Sequence, residues 1–341
     1  MGCTNPNFVV KTNEIVVMKN GKETNKYLFG RNYLKNISND TSYIDKETGE
    51  LMFEKIPVRC GECLSCRLSY SKEWANRIIL ESTLYDPGLC WFVTLTYRDD
   101  ELSEENGTRN IWDVPILNKE HIKTFMKDLR NYYFYRGHKG IREFTCGEYG
   151  EKSERPHYHQ IIFNLPLSDL QFFSTNFRGD IFYTSDTLTE IWGRGHVLVS
   201  ELTWQNAAYT ARYVLKKAKD QFEKEFYKQM DITMPFTTKS NRPGLAVNYF
   251  KEHFDEIYQS DNIVLPSVGK LQNVVKPPRY CDILYKEVNP DHLEKVKLHR
   301  QFIAQVEQDR LRKTHNYSEE DYFRMKDEEL HNKIKKLHRE L

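Results

Sequence analysis

Two histidines separated by one residue open an apolar run, "RPHYHQIIF", and this constrains the fold more than any other stretch of the chain. The run is rich in β-branched and aromatic residues and lies between polar residues and Pro166, the pattern of a strand. Strand side chains alternate, so His157 and His159 leave one face while Tyr158 leaves the other. Just upstream, "GIREFTCGEYG" reads as a second strand, joined to the first by a polar turn around Glu151 to Arg155. A tight hairpin brings Glu148 beside the imidazole pair.

Two imidazoles converging on one face can share a divalent ion. A carboxylate from Glu148 adds an oxygen ligand and leaves open positions for water or a phosphate oxygen. Mixed ligands with open sites suit Mn²⁺ or Mg²⁺ acting as a Lewis acid on a phosphodiester, and the same atoms can hold zinc. The alternative is a pair of half-exposed strand histidines and a solvated hairpin acid. Taken alone, these residues leave both readings open.

The elements around the hairpin follow from periodicity. "LSYSKEWANRIILESTLY" carries Leu68, Trp74, Ile78 and Ile79 near helical spacing, and "NKEHIKTFMKDLRNYYFY" carries Ile122, Phe125, Met126 and Leu129 on one face, so both are helices. "CWFVTLTY" (Cys90 to Tyr97) and "HVLVSEL" are strands; "SDTLTEIWGRG" is a short helix ending on Gly193 and Gly195. "WQNAAYTARYVLKKAKDQF" is a long helix. From 90 to 220 the order is strand, helix, strand, strand, helix, strand, helix. With no GxGxxG and no GxxxxGK[ST] in the chain, this order predicts an α+β fold, with helices covering a central antiparallel sheet, rather than a dinucleotide-binding fold. We divide the chain into an N-terminal region with a cysteine cluster and a helix (1–87), a core (88–220), an irregular extension (221–287) and a charged helical tail (288–341).

Tyr209 and Tyr213 lie four apart in the last core helix, hence on one face, with Lys216 and Lys217 one turn further along. Paired tyrosines are commonly core residues with a polar tip. Here the small Ala207, Ala208 and Ala211 leave room around them, while Arg212 and Lys219 add to the cations suited to phosphate. A phenol has a free pKa of about 10 and attacks phosphate only when the phosphate is activated. A metal polarising the phosphoryl oxygens lowers that barrier and a lysine stabilises the developing charge. The product is a phosphotyrosine ester that keeps the bond energy, so rejoining needs no nucleotide, consistent with the missing phosphate loop.

Cys60, Cys63 and Cys66 form a dense C-x-x-C-x-x-C run. An iron–sulfur run of the ferredoxin kind needs a further cysteine where Tyr70 stands. Zinc needs a fourth ligand, and Cys3 is the candidate, giving a closed structural Zn²⁺ site. Three reduced thiols are the alternative. Cys90, Cys146 and Cys281 sit in apolar or mixed runs and read as small packing residues.

These motifs together resemble the HUH-type rolling-circle replication initiator endonucleases, most closely those of microviruses, the small single-stranded DNA phages of the gokushovirus group. The resemblance runs over roughly residues 57 to 250. It is carried by "FVTLTY", "CGEYG" followed by "RPHYHQIIF", "AAYTARYVLKK", "VRCGECLSCR" and "NRPG" at Asn241 to Gly244. It implies an origin-specific endonuclease and strand transferase that stays attached to the 5′ phosphate through tyrosine, leaves a 3′ hydroxyl for a host polymerase, and later rejoins a unit-length circle. By matching position, His157 and His159 are the metal pair, Glu148 is the third ligand, and Tyr209 and Tyr213 are the nucleophile candidates. Either tyrosine can attack first; the residues favour Tyr209 as attacker, because Tyr213, nearer Lys216 and Lys217, suits the acceptor role. The implied core has ferredoxin-like or RNA-recognition-like topology. The implied partners are the single-stranded DNA origin and host helicase and polymerase.

Composition limits how DNA is met. Fifty Lys+Arg against 49 Asp+Glu give a net charge of +1, so there is no global basic field and contacts are local. Tyr132, Tyr133 and Tyr135 beside Arg130, Arg136 and Lys139, and Arg279 with Tyr280, combine cations with aromatic faces; most of these tyrosines read equally as core. No run approaches a membrane span, no signal peptide opens the chain, and Pro6 breaks a myristoylation pattern. The expectation is a protein of the host bacterial cytoplasm with no membrane and no small-molecule substrate. A non-catalytic zinc-knuckle nucleic-acid-binding protein, a scaffold protein, and an HUH transposase or relaxase are the competing readings.

Overall fold

A computed structural model describes residues 3, 7–17, 21, 23–29, 42–44, 51–150, 153–176, 179–212, 221–266, 273–314 and 319–337. The chain forms two compact units, residues 1–69 with 311–341, and residues 70–310. The first contains a four-stranded antiparallel sheet of β1 (Asn7–Val17), β2 (Glu23–Phe29), β3 (Ser42–Ile44) and β4 (Leu51–Val58) in the order β2-β1-β4-β3. The unit boundary at Ser69 falls within helix α1 (Leu64–Ser82).

The second unit is built on a seven-stranded antiparallel sheet. Its inner strands are β5 (Cys90–Thr96), β6 (Arg142–Tyr149), β7 (Pro156–Phe163) and β10 (Val197–Glu201), in the spatial order β6-β7-β5-β10. Helix α2 (Lys119–Phe134) connects β5 to β6, and α3 (Asp186–Trp192) precedes β10. This β-α-β-β-α-β arrangement is the ferredoxin-like one, and the α+β expectation holds.

Alternation along the strands sends two sets of apolar side chains to opposite faces. Trp91, Val93, Leu95, Tyr158 and Ile162 pack with Ile122, Phe125, Met126 and Leu129 of α2 and with Leu188 and Trp192 of α3. Phe92, Phe144, Ile161 and Phe163 pack on the other face with Trp74, Ala75, Ile78 and Ile79 of α1 and with Ala207 and Ala211 of α4 (Trp204–Arg212). Asn118 caps α2 by accepting the Glu120 N–H at 3.0 Å. Gly193 ends α3 with φ of +63°, where a residue without Cβ is unstrained. A buried chain of hydroxyls lies under the α2 face. Tyr158 donates to Asn118 O at 3.0 Å and accepts the Asn118 N–H at 2.8 Å, Tyr97 Oη is 2.8 Å from Tyr158 Oη, and His121 Nδ1 is 2.9 Å from Tyr97 Oη.

The tertiary structure extends the sheet beyond the expected strands. A hairpin of β8 (Leu170–Thr175) and β9 (Ile181–Ser185) continues it past β10. Its irregular register and exposed Phe172 and Phe173 hide the period-2 pattern. On the other edge, β11 (Phe236–Lys239) pairs with β6, so residues read as an irregular extension complete the sheet. Between α4 and β11 lies α5 (Gln221–Gln229).

Helices α6 (Val247–Glu252), α7 (Phe254–Ser260) and α8 (Arg279–Val288), with the β12 (Ile263–Leu265) and β13 (Asn273–Val275) pair, form a third cluster around stacked Tyr258 and Tyr285. Helix α9 (Pro290–Thr314) is anchored at its start: Leu293 is buried in that cluster and Arg300 pairs with Asp261 and Asp282. A last helix, α10 (Glu319–Leu337), follows. Among the described residues no helix is long and apolar enough to cross a membrane.

Candidate active site

The site lies on the α1/α4 face, at the end of the sheet where β6 turns into β7. Hairpin register puts Glu148 opposite His157 and Cys146 opposite His159, while β5 places Thr94 opposite His159 and Thr96 opposite His157. The two imidazoles therefore emerge side by side, ring centroids 5.0 Å apart. Glu148 Oε1 is 3.1 Å from His157 Nε2 and 3.1 Å from His159 Nε2. One potential ligand atom from each residue lies within 4.8 Å of the others.

This geometry fits a divalent ion. Two ligand atoms at right angles, each about 2.1 Å from a metal, stand about 3.0 Å apart, close to the two Nε2–Oε1 separations. The chemistry agrees: burial works to raise the Glu148 pKa, but hydrogen bonds from His157 and His159 outweigh it and hold the carboxyl below its ordinary value. A buried carboxylate is thus kept charged where a cation is wanted.

Each imidazole is held from behind. His157 Nδ1 is 3.1 Å from the Arg155 carbonyl oxygen, and His159 Nδ1 is 3.0 Å from Thr94 Oγ1. Phe92 stacks on the His159 ring at 5.4 Å and 13°. The Arg155 side chain donates to Tyr97 O at 2.9 Å and pairs with Asp99, tying the hairpin to the end of β5. Trp192 Nε1 donates to Thr96 O at 2.9 Å from the opposite side.

Tyr209 of α4 reaches the same place. Its ring meets His159 edge-on, centroids 5.2 Å apart, and the Arg212 guanidinium carbon is 6.0 Å from the Tyr209 ring centroid. Buried Ala207 and Ala211 let the helix pack closely against the sheet. Tyr213, Lys216 and Lys217 lie outside the described residues.

In the first unit, Cys3, Cys60, Cys63 and Cys66 come together with their sulfurs within 4.8 Å of one another. Cys3 Sγ is 3.6 Å from Cys60 Sγ and 3.7 Å from Cys63 Sγ. Tetrahedral zinc with bonds of about 2.3 Å sets sulfurs about 3.8 Å apart, so the set fits that ion. The backbone N–H of Cys63 points to Cys60 Sγ at 3.2 Å, and that of Cys66 to Cys63 Sγ at 3.4 Å. Such donors stabilise thiolates, whereas burial without a cation pushes the Cys66 thiol up to about 12.

The proposed aromatic contacts divide. Tyr133 is buried and Tyr132 half-buried, with Arg136 stacked 3.5 Å from its ring centroid; Tyr135 is 83% exposed. Tyr280 lies against buried Arg77, 4.2 Å from ring centroid to guanidinium. Cys146 and Cys281 are buried and Cys90 half-buried, as packing residues should be. The roles of Thr94, Phe92 and the Arg155 carbonyl are not legible in sequence, except that Phe92, Thr94 and Thr96 share one strand face.

An antiparallel sheet thus carries a His-Glu cluster on β6 and β7, and α4 brings Tyr209 to it. Residues 90–218 match the family model of the replication-associated protein ORF2/G2P. The chain is 34% identical over 314 residues to the replication-associated protein ORF2 of Spiroplasma virus 4, covering 90% of this chain and 92% of that protein. It is 27% identical over 289 residues to the replication-associated protein VP4 of Bdellovibrio phage phiMH2K, covering 82% of each. Against the replication-associated protein ORF4 of Chlamydia phage 1 it is 32% identical over 245 residues, 69% of this chain and 55% of that one. No solved structure matches the chain. The chain belongs to the replication-associated protein family of microvirus-like single-stranded DNA phages.

Proposed function

We propose that the protein initiates phage DNA replication by nicking and rejoining single-stranded origin DNA through a tyrosine ester. The observation that carries this reading is the edge contact of Tyr209 with His159, within a cluster where two imidazoles and a buried carboxylate converge. His157, His159 and Glu148 would hold Mn²⁺ or Mg²⁺, which when bound supplies Lewis-acid polarisation of a phosphodiester oxygen.

The chain's own residues do the rest. The Tyr209 phenol loses its proton to solvent and its oxygen bonds to phosphorus. The bond from phosphorus to the 3′ oxygen breaks, and that oxygen takes a proton from solvent and leaves as the 3′ hydroxyl. Arg212, close to the phenol ring, is placed to offset phosphate charge. Tyr213 is the acceptor candidate in the reverse step, with Lys216 and Lys217 stabilising the developing charge. Cys3, Cys60, Cys63 and Cys66 would hold a structural Zn²⁺. Host helicase and polymerase then act on the free 3′ hydroxyl, in the host cytoplasm.

The test is incubation with single-stranded phage origin DNA and Mn²⁺, followed by denaturing gels and peptide mapping. The expected result is a nicked strand with its 5′ end on a tyrosine of α4 or of the segment that follows. Binding without cleavage overturns the catalytic reading in favour of a nucleic-acid-binding protein, and cleavage with no protein adduct overturns the tyrosine ester.

A further inference from the structure

The two imidazoles of the cluster are held differently from behind, and the difference has chemical content. A ring nitrogen that binds a cation must offer a lone pair, so in a neutral imidazole the other nitrogen carries the proton and needs an acceptor. Behind His157 that acceptor is the Arg155 carbonyl oxygen at 3.1 Å from Nδ1. A carbonyl cannot donate, so once a cation takes the place of the Nε2–H that Glu148 Oε1 otherwise accepts at 3.1 Å, the backbone holds the proton on Nδ1 and leaves the Nε2 lone pair to the cluster.

Behind His159 stands a hydroxyl instead, Thr94 Oγ1 at 3.0 Å from Nδ1. A hydroxyl can accept or donate. When it accepts, His159 Nε2 is a ligand; when it donates, the proton sits on Nε2 and faces Glu148. The ring is otherwise fixed, with Phe92 stacked on one side and Tyr209 meeting it edge-on. Thr94 is directly opposite His159 in the β5–β7 register, so its distance to the ring is set by the sheet.

We propose that Thr94 is a positioning residue for the divalent ion: its hydroxyl accepts Nδ1–H of His159 and commits the Nε2 lone pair to the cluster. The inference rests on the reading that Glu148, His157 and His159 bind a cation. It adds to that reading the residue that makes His159 a competent ligand.

The experiment compares Thr94→Val, which keeps the shape and removes the hydroxyl, with Thr94→Ser, which keeps the hydroxyl. Mn²⁺ binding to the full chain is measured by calorimetry without DNA. Thermal melting without metal checks that each variant folds, and Glu148→Ala and His159→Ala serve as controls. Thr94→Val should bind Mn²⁺ about 10- to 100-fold more weakly, and Thr94→Ser should bind within a few-fold of the parent. At a Mg²⁺ concentration that just saturates the parent, long-range ¹⁵N spectra of His159 should show Nδ1–H in the parent and in Thr94→Ser, and a mixture of tautomers in the incompletely loaded Thr94→Val protein.

Parental Mn²⁺ affinity in a folded Thr94→Val protein, with binding lost in the two controls, overturns the role of Thr94 alone. Parental affinity in His159→Ala and Glu148→Ala overturns the cation site itself. If Thr94→Val does not fold, an affinity of Thr94→Ser more than about 10-fold below the parent, or an Nε2–H tautomer in the Mg²⁺-loaded parent, overturns the proposal.

Discussion

The ring of Tyr209 stands edge-on to the imidazole of His159, 5.2 Å between centroids, although fifty positions separate them in the chain. The contact joins a helix to the middle of the sheet at the one described cluster of histidine and carboxylate ligands. Replacing Tyr209 by Phe keeps the ring and its packing but removes the oxygen. Cleavage of origin DNA should fall at least about 1000-fold, a loss of about 4 kcal/mol of transition-state stabilisation, while Mn²⁺ and DNA binding stay near the parent. Single-turnover cleavage and filter binding measure the two; undiminished cleavage with the adduct on Tyr213 would give Tyr209 a packing role only.

The four cysteines make a separate prediction about composition and folding. Purified protein should carry about one zinc per chain by elemental analysis. A strong chelator should lower the melting temperature of residues 1–69, because a structural zinc contributes its binding energy to folding. Cys63→Ser should abolish zinc retention while leaving the seven-stranded unit folded, as read by circular dichroism. Zinc-free protein with an unchanged melting profile would identify the cluster as four reduced thiols.

Burial of His121 makes the stability of the fold depend on pH. Burial, with a contribution from Arg194, lowers its pKa to about 4 from an ordinary 6.5. Above 6.5 the residue is neutral in both states. Between 6.5 and 4 the unfolded chain binds a proton that the folded chain does not, so stability is lost as pH falls through that window. Tyr158 engages both its lone pairs and its proton if Tyr97 donates to it, which leaves Tyr97 to accept from His121 Nδ1–H. His121→Gln should flatten the stability difference between pH 7 and pH 5 in urea titrations. An equally steep loss in that variant would place the effect elsewhere.

Gly195 sits where β5 ends beside the site. A Cβ there would run into the carbonyl oxygen of Thr96, the last residue of β5, and lie 2.7 Å from Arg98 N, backbone atoms that cannot swing aside as a flexible side chain would. Gly195→Ala should cost about 3 kcal/mol or more and displace Thr96 from its place opposite His157. Denaturant titration reads the first and Mn²⁺ affinity the second. A change below about 0.5 kcal/mol would mean that this segment rearranges freely.

What could be read from the chain alone was what depends on neighbours in sequence. Period-2 alternation put His157 and His159 on one face, the short polar turn brought Glu148 to them, and period 3.6 marked α1 and α2. The close spacing of Cys60, Cys63 and Cys66 carried the cysteine cluster. Only the tertiary structure set Thr94 behind His159 from 65 positions away, carried residues 236–239 to the edge of the sheet, and placed Tyr209 against an imidazole. It also buried Leu293 within the segment read as a charged helical tail. The reason is physical: backbone sterics and side-chain alternation are local, whereas strand order, register and helix docking are decided by which distant apolar faces can be buried together.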